Sequence, residues 1–257
     1  VNEADPGWIR PDWPVSRRVR ALITTRAGGV STGTWGAPPS GTGGMNLGFL
    51  AGDAPDAVRE NRARLRAALP SEPRWLKQVH GPTVVCADDV SAPPEADAAF
   101  TMTPGVVVAV TIADCMPVLL ADVDGRCVGV AHAGWRGVAS GVVQATVRAM
   151  RAALGAGEAE LVAYLGPAIG PAHFEVGPEV LAAMAGTLPG AAEAFRPRGA
   201  KYLADLFALG RQALREVGVT RVHGATECTY SAPDRFYSFR RDRVTGRHAA
   251  LLWIDPA

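Results

Sequence analysis

Lysine is almost missing from this chain of 257 residues, occurring only at Lys77 and Lys201. Arginine supplies the remaining positive charge, a bias that a GC-rich genome produces without selection for function. The 26 basic and 25 acidic residues nearly cancel, so no global field recruits nucleic acid or an anionic membrane, and any anion recognition must be local. Long apolar runs are also missing. The longest, at 106–113, falls well short of the ~20 residues a membrane-spanning helix requires. Val1-Asn2-Glu3-Ala4-Asp5 lacks the basic and apolar regions of a signal peptide, and a cytoplasmic protein engaging neither nucleic acid nor membrane is expected. Cysteine is sparse: Cys86, Cys115, Cys127 and Cys228 are too widely spread for a disulfide-stapled secreted domain, and no CxxC pair marks a zinc ribbon. Cys86 and Cys127 lie in apolar, strand-like runs and are expected to be buried as small hydrophobes. There is no Walker loop, no GxGxxG after a strand, no heptad array and no internal repeat.

What is present is a 48% hydrophobic composition, enough for the core of one large domain. We read 1–257 as that single domain, with 1–18 as an N-terminal extension. A Gly, Pro, Ser and Thr-rich stretch at 33–44 reads as a long, flexible surface loop, either a lid or an insertion. Strands are expected at 21–25, 83–86, 106–112, 118–122, 127–131, 161–165, 221–226, 236–240 and 249–254, from β-branched runs punctuated by Gly, Pro or Asp. Asp122-Val123-Asp124-Gly125 predicts a hairpin. Helices are expected at 56–69, stopped by Pro70, at 138–154, ended by Gly155, and at 204–217. Hairpins mixed with helix-separated strands predict an α/β fold of the α+β type, a compact domain of mixed β-sheet layers flanked by helices.

The chemistry concentrates in three short segments. Ala113-Asp114-Cys115-Met116-Pro117 and Val130-Ala131-His132-Ala133-Gly134-Trp135 place a thiol and an imidazole at the ends of successive apolar strands. Lys77-Gln78-Val79-His80-Gly81 adds a second imidazole. His80, Cys115 and His132 are the right number and kind of donors for a catalytic zinc site, which uses three protein ligands and leaves a fourth position open. They also suit a cysteine hydrolase. Small neighbours such as Gly81, Ala131, Ala133 and Gly134 permit close backbone approach. Asp114 either hydrogen-bonds a ligating imidazole or closes a strand-terminal turn.

The ordered motifs KQVHG, ADCMPVLL, VGVAHAGWRG, LGPAIGPAHFEVGPEV and FYSFRRDRVTGRHA resemble the YfiH-like family. Its members are also called multicopper polyphenol oxidase-like, laccase-domain or peptidoglycan editing factor proteins. TTRAGGVS, MNLGFLAGD and VRENRARL extend the resemblance upstream to about Val19. It implies a compact mixed α/β domain with zinc on His80, Cys115 and His132. It also implies phosphorolysis of adenosine, inosine and 5'-methylthioadenosine to free base and pentose 1-phosphate, with adenosine deamination alongside. The partners are then a purine nucleoside and phosphate, and the chain a monomer or weak homo-oligomer. The longer 33–44 loop and Ala172-His173 depart from the family pattern and affect the pocket lining.

Phosphorolysis needs an anion held beneath the anomeric carbon, a task for planar, bidentate arginine. Arg240 and Arg241 are the first candidates, with Arg26 and Arg59 behind them, each otherwise an exposed charge. Glu175, grouped with the three ligands as catalytic, could accept ribose hydroxyls or handle a purine proton; otherwise it is a turn carboxylate. Asn46 is a ligand contact or a turn cap, and His173 a pocket-edge group. Three other readings stay open. One is a hydrolase of cell-wall peptides with Cys115 as nucleophile and His80 or His132 as base. Another is a copper phenol oxidase, for which His80, His132, His173, His223 and His248 are a thin inventory. The last is a zinc that merely stabilises the fold.

Overall fold

The computed structural model describes residues 7–155 and 159–256. Its strands are β1 (Val19–Ile23), β2 (Ala27–Ser31), β3 (Val84–Cys86), β4 (Ala98–Thr101), β5 (Val108–Ile112), β6 (Met116–Asp122), β7 (Val128–Ala133), β8 (Leu161–Leu165), β9 (Glu175–Val176), β10 (Phe195–Arg198), β11 (Lys201–Ala204), β12 (Val222–Gly224) and β13 (His248–Ile254). The α-helices are α1 (Pro55–Ala67), α2 (Trp135–Ala139), α3 (Val142–Leu154), α4 (Pro178–Ala185), α5 (Leu206–Arg215) and α6 (Phe239–Asp242).

β6 explains the layering. All seven of its residues are buried, as expected of a strand covered on both faces. Met116, Val118 and Leu120 pack against Val143, Val147 and Met150 of α3, while Leu119 and Ala121 meet Val108, Val110, Ala250 and Leu252. One face of the six-stranded mixed sheet β12-β8-β6-β7-β4-β3 therefore carries helices, and the other carries the antiparallel sheet β1-β13-β5. The outer face of that smaller sheet is closed by Leu65 of α1, with Leu22, Met45, Leu251 and Trp253. Fully burying a side chain such as Leu65 contributes about 2 kcal/mol. A third sheet, β10-β11-β9, is antiparallel. The mixed α/β class expected from the sequence is the class observed. No helix among the described residues is long and apolar enough to cross a membrane.

The differences from expectation are local. The helix expected over 138–154 is two helices, α2 and α3, because Gly141 takes a φ of 83° between them. The strand expected at 236–240 is an irregular segment followed by the short helix α6, with the Ser238 hydroxyl accepting the N–H of Arg241 as an N-cap. The loop expected at 26–31 contains β2, whose Gly28 and Gly29 N–H groups donate to the Gly43 carbonyl. The 33–44 stretch is hydrogen-bonded along its length: Gly33 donates to Gly41, Ala37 to Thr42, and Arg26 Nε to the Gly36 carbonyl at 2.7 Å. Cys127 is buried as expected, but Cys86, at the end of edge strand β3, is only half-buried. The expected hairpin is present as β6 and β7, the Asp122 carboxylate gripping Arg126 through Nε at 2.8 Å and Nη2 at 2.9 Å.

Candidate metal centre

The β6/β7 register pairs Pro117 with His132 and Met116 with Ala133, which sets Cys115, just before β6, beside His132 near the end of β7. His80 comes from the loop before β3. That loop is tied to β5 by the Gln78 amide, whose Oε1 accepts the Thr111 N–H at 2.8 Å and whose Nε2 donates to the Thr111 carbonyl at 2.8 Å. The donor atoms of His80, Cys115 and His132 all lie within 4.8 Å of one another. Cys115 Sγ is 3.8 Å from His80 Nε2, and the two imidazoles meet edge-on with centroids 4.7 Å apart. His132 is buried, Cys115 half-buried and His80 exposed, so the cluster opens to solvent on the His80 side.

Asp97, buried just before β4, organises this cluster. Its carboxylate accepts the backbone N–H groups of Val79, His80 and Gly81, each at 2.9 Å. It also faces His132 Nδ1 at 2.8 Å. Asp97 thus fixes the His80 loop, whose His80 has φ 65°, and keeps the proton of neutral His132 on Nδ1, leaving Nε2 as donor. The imidazole-orienting role considered for Asp114 falls to Asp97 instead. Asp114, at φ 91°, accepts the Thr229 hydroxyl at 2.6 Å and the Arg240 N–H at 2.6 Å. It pins the 229 and 240 segments against the strand end that carries Cys115.

The electrostatics follow from this packing. Burial alone would push the Cys115 thiol up, but His132 and His80 more than offset it and bring it down to about 6. Burial likewise works against a charged His132, yet Cys115 and Asp97 raise it to about 9. Cys127, without such neighbours, is pushed up by burial to about 12. Gly134 leaves room for the cluster: a Cβ there would fall 2.6 Å from Cys115 Sγ and 3.3 Å from His80 Cδ2.

The other residues expected at the site occupy different surroundings. Arg240 Nη1 donates to the Glu175 carbonyl at 2.6 Å, and its guanidinium lies 5.4 Å from the Phe174 ring. The Glu175 carboxylate pairs with Lys201 at 2.8 Å and faces Arg198 at 3.6 Å. Arg241 donates to the carbonyls of Thr229, Tyr230 and Phe236 and to the Asp242 carboxylate. Arg26 is buried, bonded to the Gly36 and Thr34 carbonyls, and Arg59 is exposed on α1, paired with Asp56. Buried Asn46 accepts the Gly48 and Arg247 N–H groups on Oδ1 and donates to Asp53. His173 stacks on Tyr230 at 4.2 Å, His248 stacks on Tyr237 at 5.3 Å, and His223 lies in β12.

Two residues near the cluster escaped the sequence reading. Asp97 follows Pro93-Pro94-Glu95-Ala96 and reads as part of a turn, and its partner His132 is 35 positions away. Arg247 stands in the FYSFRRDRVTGRHA segment, which was the available signal.

Proteins of known name and structure resemble this chain over nearly its whole length. The sequence matches the family described as multi-copper polyphenol oxidoreductase laccase over residues 20–255. It is 47% identical over 250 residues to a protein of Pseudomonas aeruginosa named purine nucleoside phosphorylase, covering 96% of this chain and 98% of that one. It is 46% identical over 249 residues to the Escherichia coli protein named purine nucleoside phosphorylase YfiH, with coverage of 96% and 98%. A solved Neisseria meningitidis protein superposes with a TM-score of 0.87 at 43% identity, covering 97% of this chain and 99% of that one.

Proposed function

The chain belongs to the multi-copper polyphenol oxidoreductase laccase family, and from that membership, its relatives' names and the site described above we propose that it is a zinc-dependent purine nucleoside phosphorylase. Adenosine, inosine and 5'-methylthioadenosine are the substrates we assign, cleaved by phosphate to free base and pentose 1-phosphate, with adenosine deamination as a second activity. The observation that carries the reading is the convergence of His80, Cys115 and His132 under the control of Asp97.

The donor set fits zinc. One thiolate and two imidazoles leave a position open, and a four-coordinate site would draw the donors to separations of roughly 3.5 Å, close to the 3.8 Å already present between Cys115 Sγ and His80 Nε2. A zinc ion held there would supply a Lewis acid. The histidine inventory argues against a multicopper site, because His173 and His248 are engaged with Tyr230 and Tyr237 and His223 sits in β12. Asp97 holds His132 through Nδ1, so that Nε2 turns toward Cys115, and keeps the His80 loop in place, so the cluster is largely preorganised.

We assign substrate entry to the open His80 side, where the neighbouring Val79 exposes apolar surface suited to a purine. Arg240 is tied to Asp114, the neighbour of Cys115, by its backbone N–H, and its guanidinium is braced by the Glu175 carbonyl. In phosphorolysis a phosphate oxygen bonds to the anomeric carbon as the glycosidic C–N bond breaks, and the base leaves with its electron pair and takes up a proton. We assign Arg240 to the phosphate side. Glu175 acts at the ribose side, after release from Lys201. Arg241, Arg26 and Asn46 position these segments through the bonds already described, and Arg59 is assigned to distant steering of the anion.

A second reading has its own support. Cys115 and His132 form a thiolate and imidazolium pair in the metal-free protein, which is chemically competent as a cysteine hydrolase. The deciding experiment pairs metal analysis with nucleoside turnover, with and without phosphate, on wild type and Cys115→Ala. About one zinc per chain, phosphate-dependent adenine release and pentose 1-phosphate from wild type alone support the phosphorylase. Inosine from adenosine reports the deamination. A metal-free, folded wild type that is acylated on Cys115 would replace this reading with the hydrolase.

A further inference from the structure

Arg247 is a cation beside the candidate metal centre with no carboxylate within ion-pair distance among the described residues. It precedes His248, whose backbone pairs with Ile112 at the end of β5, so it falls opposite the short segment that carries Asp114 and Cys115. Those two residues are the charges it faces. Its position is fixed from three sides. The backbone N–H donates to Asn46 Oδ1 at 2.9 Å. Gly48 lies so close to the side-chain stem that a Cβ there would be 2.6 Å from Arg247 Cγ. The guanidinium is 5.9 Å from the centre of the Phe239 ring.

Only Nη1 is occupied by protein, donating to the Thr245 and Gly246 carbonyls at 3.0 and 2.9 Å. Among the described residues, Nε and Nη2 have no hydrogen-bond partner and no carboxylate lies within ion-pair distance. The nearby Asp114 carboxylate directs its hydrogen bonds to Thr229 and to the Arg240 N–H and makes none to Arg247. Arg241 and Arg26, by contrast, spend their donors on carbonyls and on Asp242. A braced guanidinium with one open edge matches two oxygens of a tetrahedral anion.

We propose that Arg247 is the principal phosphate-binding residue of this site, its Nε and Nη2 edge holding two phosphate oxygens beside the His80, Cys115 and His132 cluster. The catalytic use of that phosphate rests on the phosphorylase reading; the anion site itself does not. Arg240 then borders the same anion from the more open side.

The test titrates inorganic phosphate into the zinc-loaded protein by calorimetry and measures KM for phosphate and for adenosine. Arg247→Gln is compared with wild type and with the surface control Arg221→Gln, with zinc content and melting temperature recorded for each. Loss of charge-assisted hydrogen bonds predicts phosphate affinity about 10- to 100-fold weaker in Arg247→Gln, with adenosine KM and zinc content unchanged. Arg247→Lys, which keeps stem and charge but not the fork, is expected to recover part of the loss, and it carries the test if the Gln variant does not fold. Unchanged phosphate affinity, or affinity lost only together with zinc, overturns the proposal. Phosphate binding that depends on Arg247 in a wild type that cleaves no nucleoside would uphold the anion site and remove the phosphorylase reading.

Discussion

Asp97 Oδ1 lies 2.8 Å from Nδ1 of His132, and the same carboxylate holds the backbone of the loop that carries His80. One buried acid thereby sets the orientation of one ligand and the position of another.

Replacing this acid by Asn keeps its size but removes its charge and half of its acceptor capacity. Outer-shell changes of this kind typically weaken metal binding by about 10- to 100-fold, and loss of hydrogen bonds to a charged group costs about 2 kcal/mol of stability. Competition with a chromophoric chelator and urea unfolding of Asp97→Asn measure the two effects. Wild-type zinc affinity in that variant would show that His132 needs no orienting partner.

Gly134→Ala tests the space around the cluster. Gly134 has φ −68° and ψ 167°, which alanine adopts freely, so the change acts only through the Cβ placed 2.6 Å from Cys115 Sγ. The expected result is a folded protein with a melting temperature near wild type and zinc content far below one per chain. Full zinc occupancy by elemental analysis would mean that the thiol shifts aside without cost.

The metal-free protein should show thiolate absorbance that rises with pH around a midpoint of about 6, below the usual thiol range near 8.5. Cys115→Ala should abolish that transition, because burial pushes Cys86 and Cys127 upward. Since zinc needs both the thiolate and a neutral His132, its binding should weaken as pH falls below about 9 and more steeply below about 6. A midpoint near 8.5 would show that the imidazoles do not offset the burial.

His248 makes a separate prediction about acid stability. It is buried, donates Nε2 to the Tyr237 carbonyl at 3.1 Å, and leaves Nδ1 without a partner. Burial pushes its pKa down to about 3, whereas the unfolded chain binds that proton near 6.5. The unfolded state therefore holds more protons between these values, and this contribution to stability, complete above about 6.5, is lost as pH falls toward 3. Urea unfolding at pH 7 and 5 should show the fall in wild type and a shallower one in His248→Gln. Equal slopes in both proteins would place the acid sensitivity elsewhere.

The convergence of Cys115 and His132 was legible in the sequence because strand ends and small neighbours are local signals. Cys115 precedes an apolar run, and His132 sits in another, before Gly134. Asp97 was not legible, since its role arises from β4 lying beside β7, a relationship no short window contains. The misread strand at 236–240 has a similar cause. Phe236 and Tyr237 are buried by tertiary packing against His248, which imitates strand hydrophobicity, while Ser238 starts a helix. β4 was missed because Ala98 and Ala99 lack strand propensity and owe their place to pairing with Val130 and Ala131. The break at Gly141 was hidden within an otherwise continuous apolar period over α2 and α3.

The order of the small sheet also has a bearing on biosynthesis. β13 is its middle strand, flanked by β1 and β5, yet it is made after His80, Cys115 and His132. While a ribosome is still extending the chain, β1 and β5 lack the strand that joins them, and Arg247 has not been added beside Cys115. A nascent chain halted before residue 248 should therefore expose the thiol without its finished surroundings, which form only once β13 has been added.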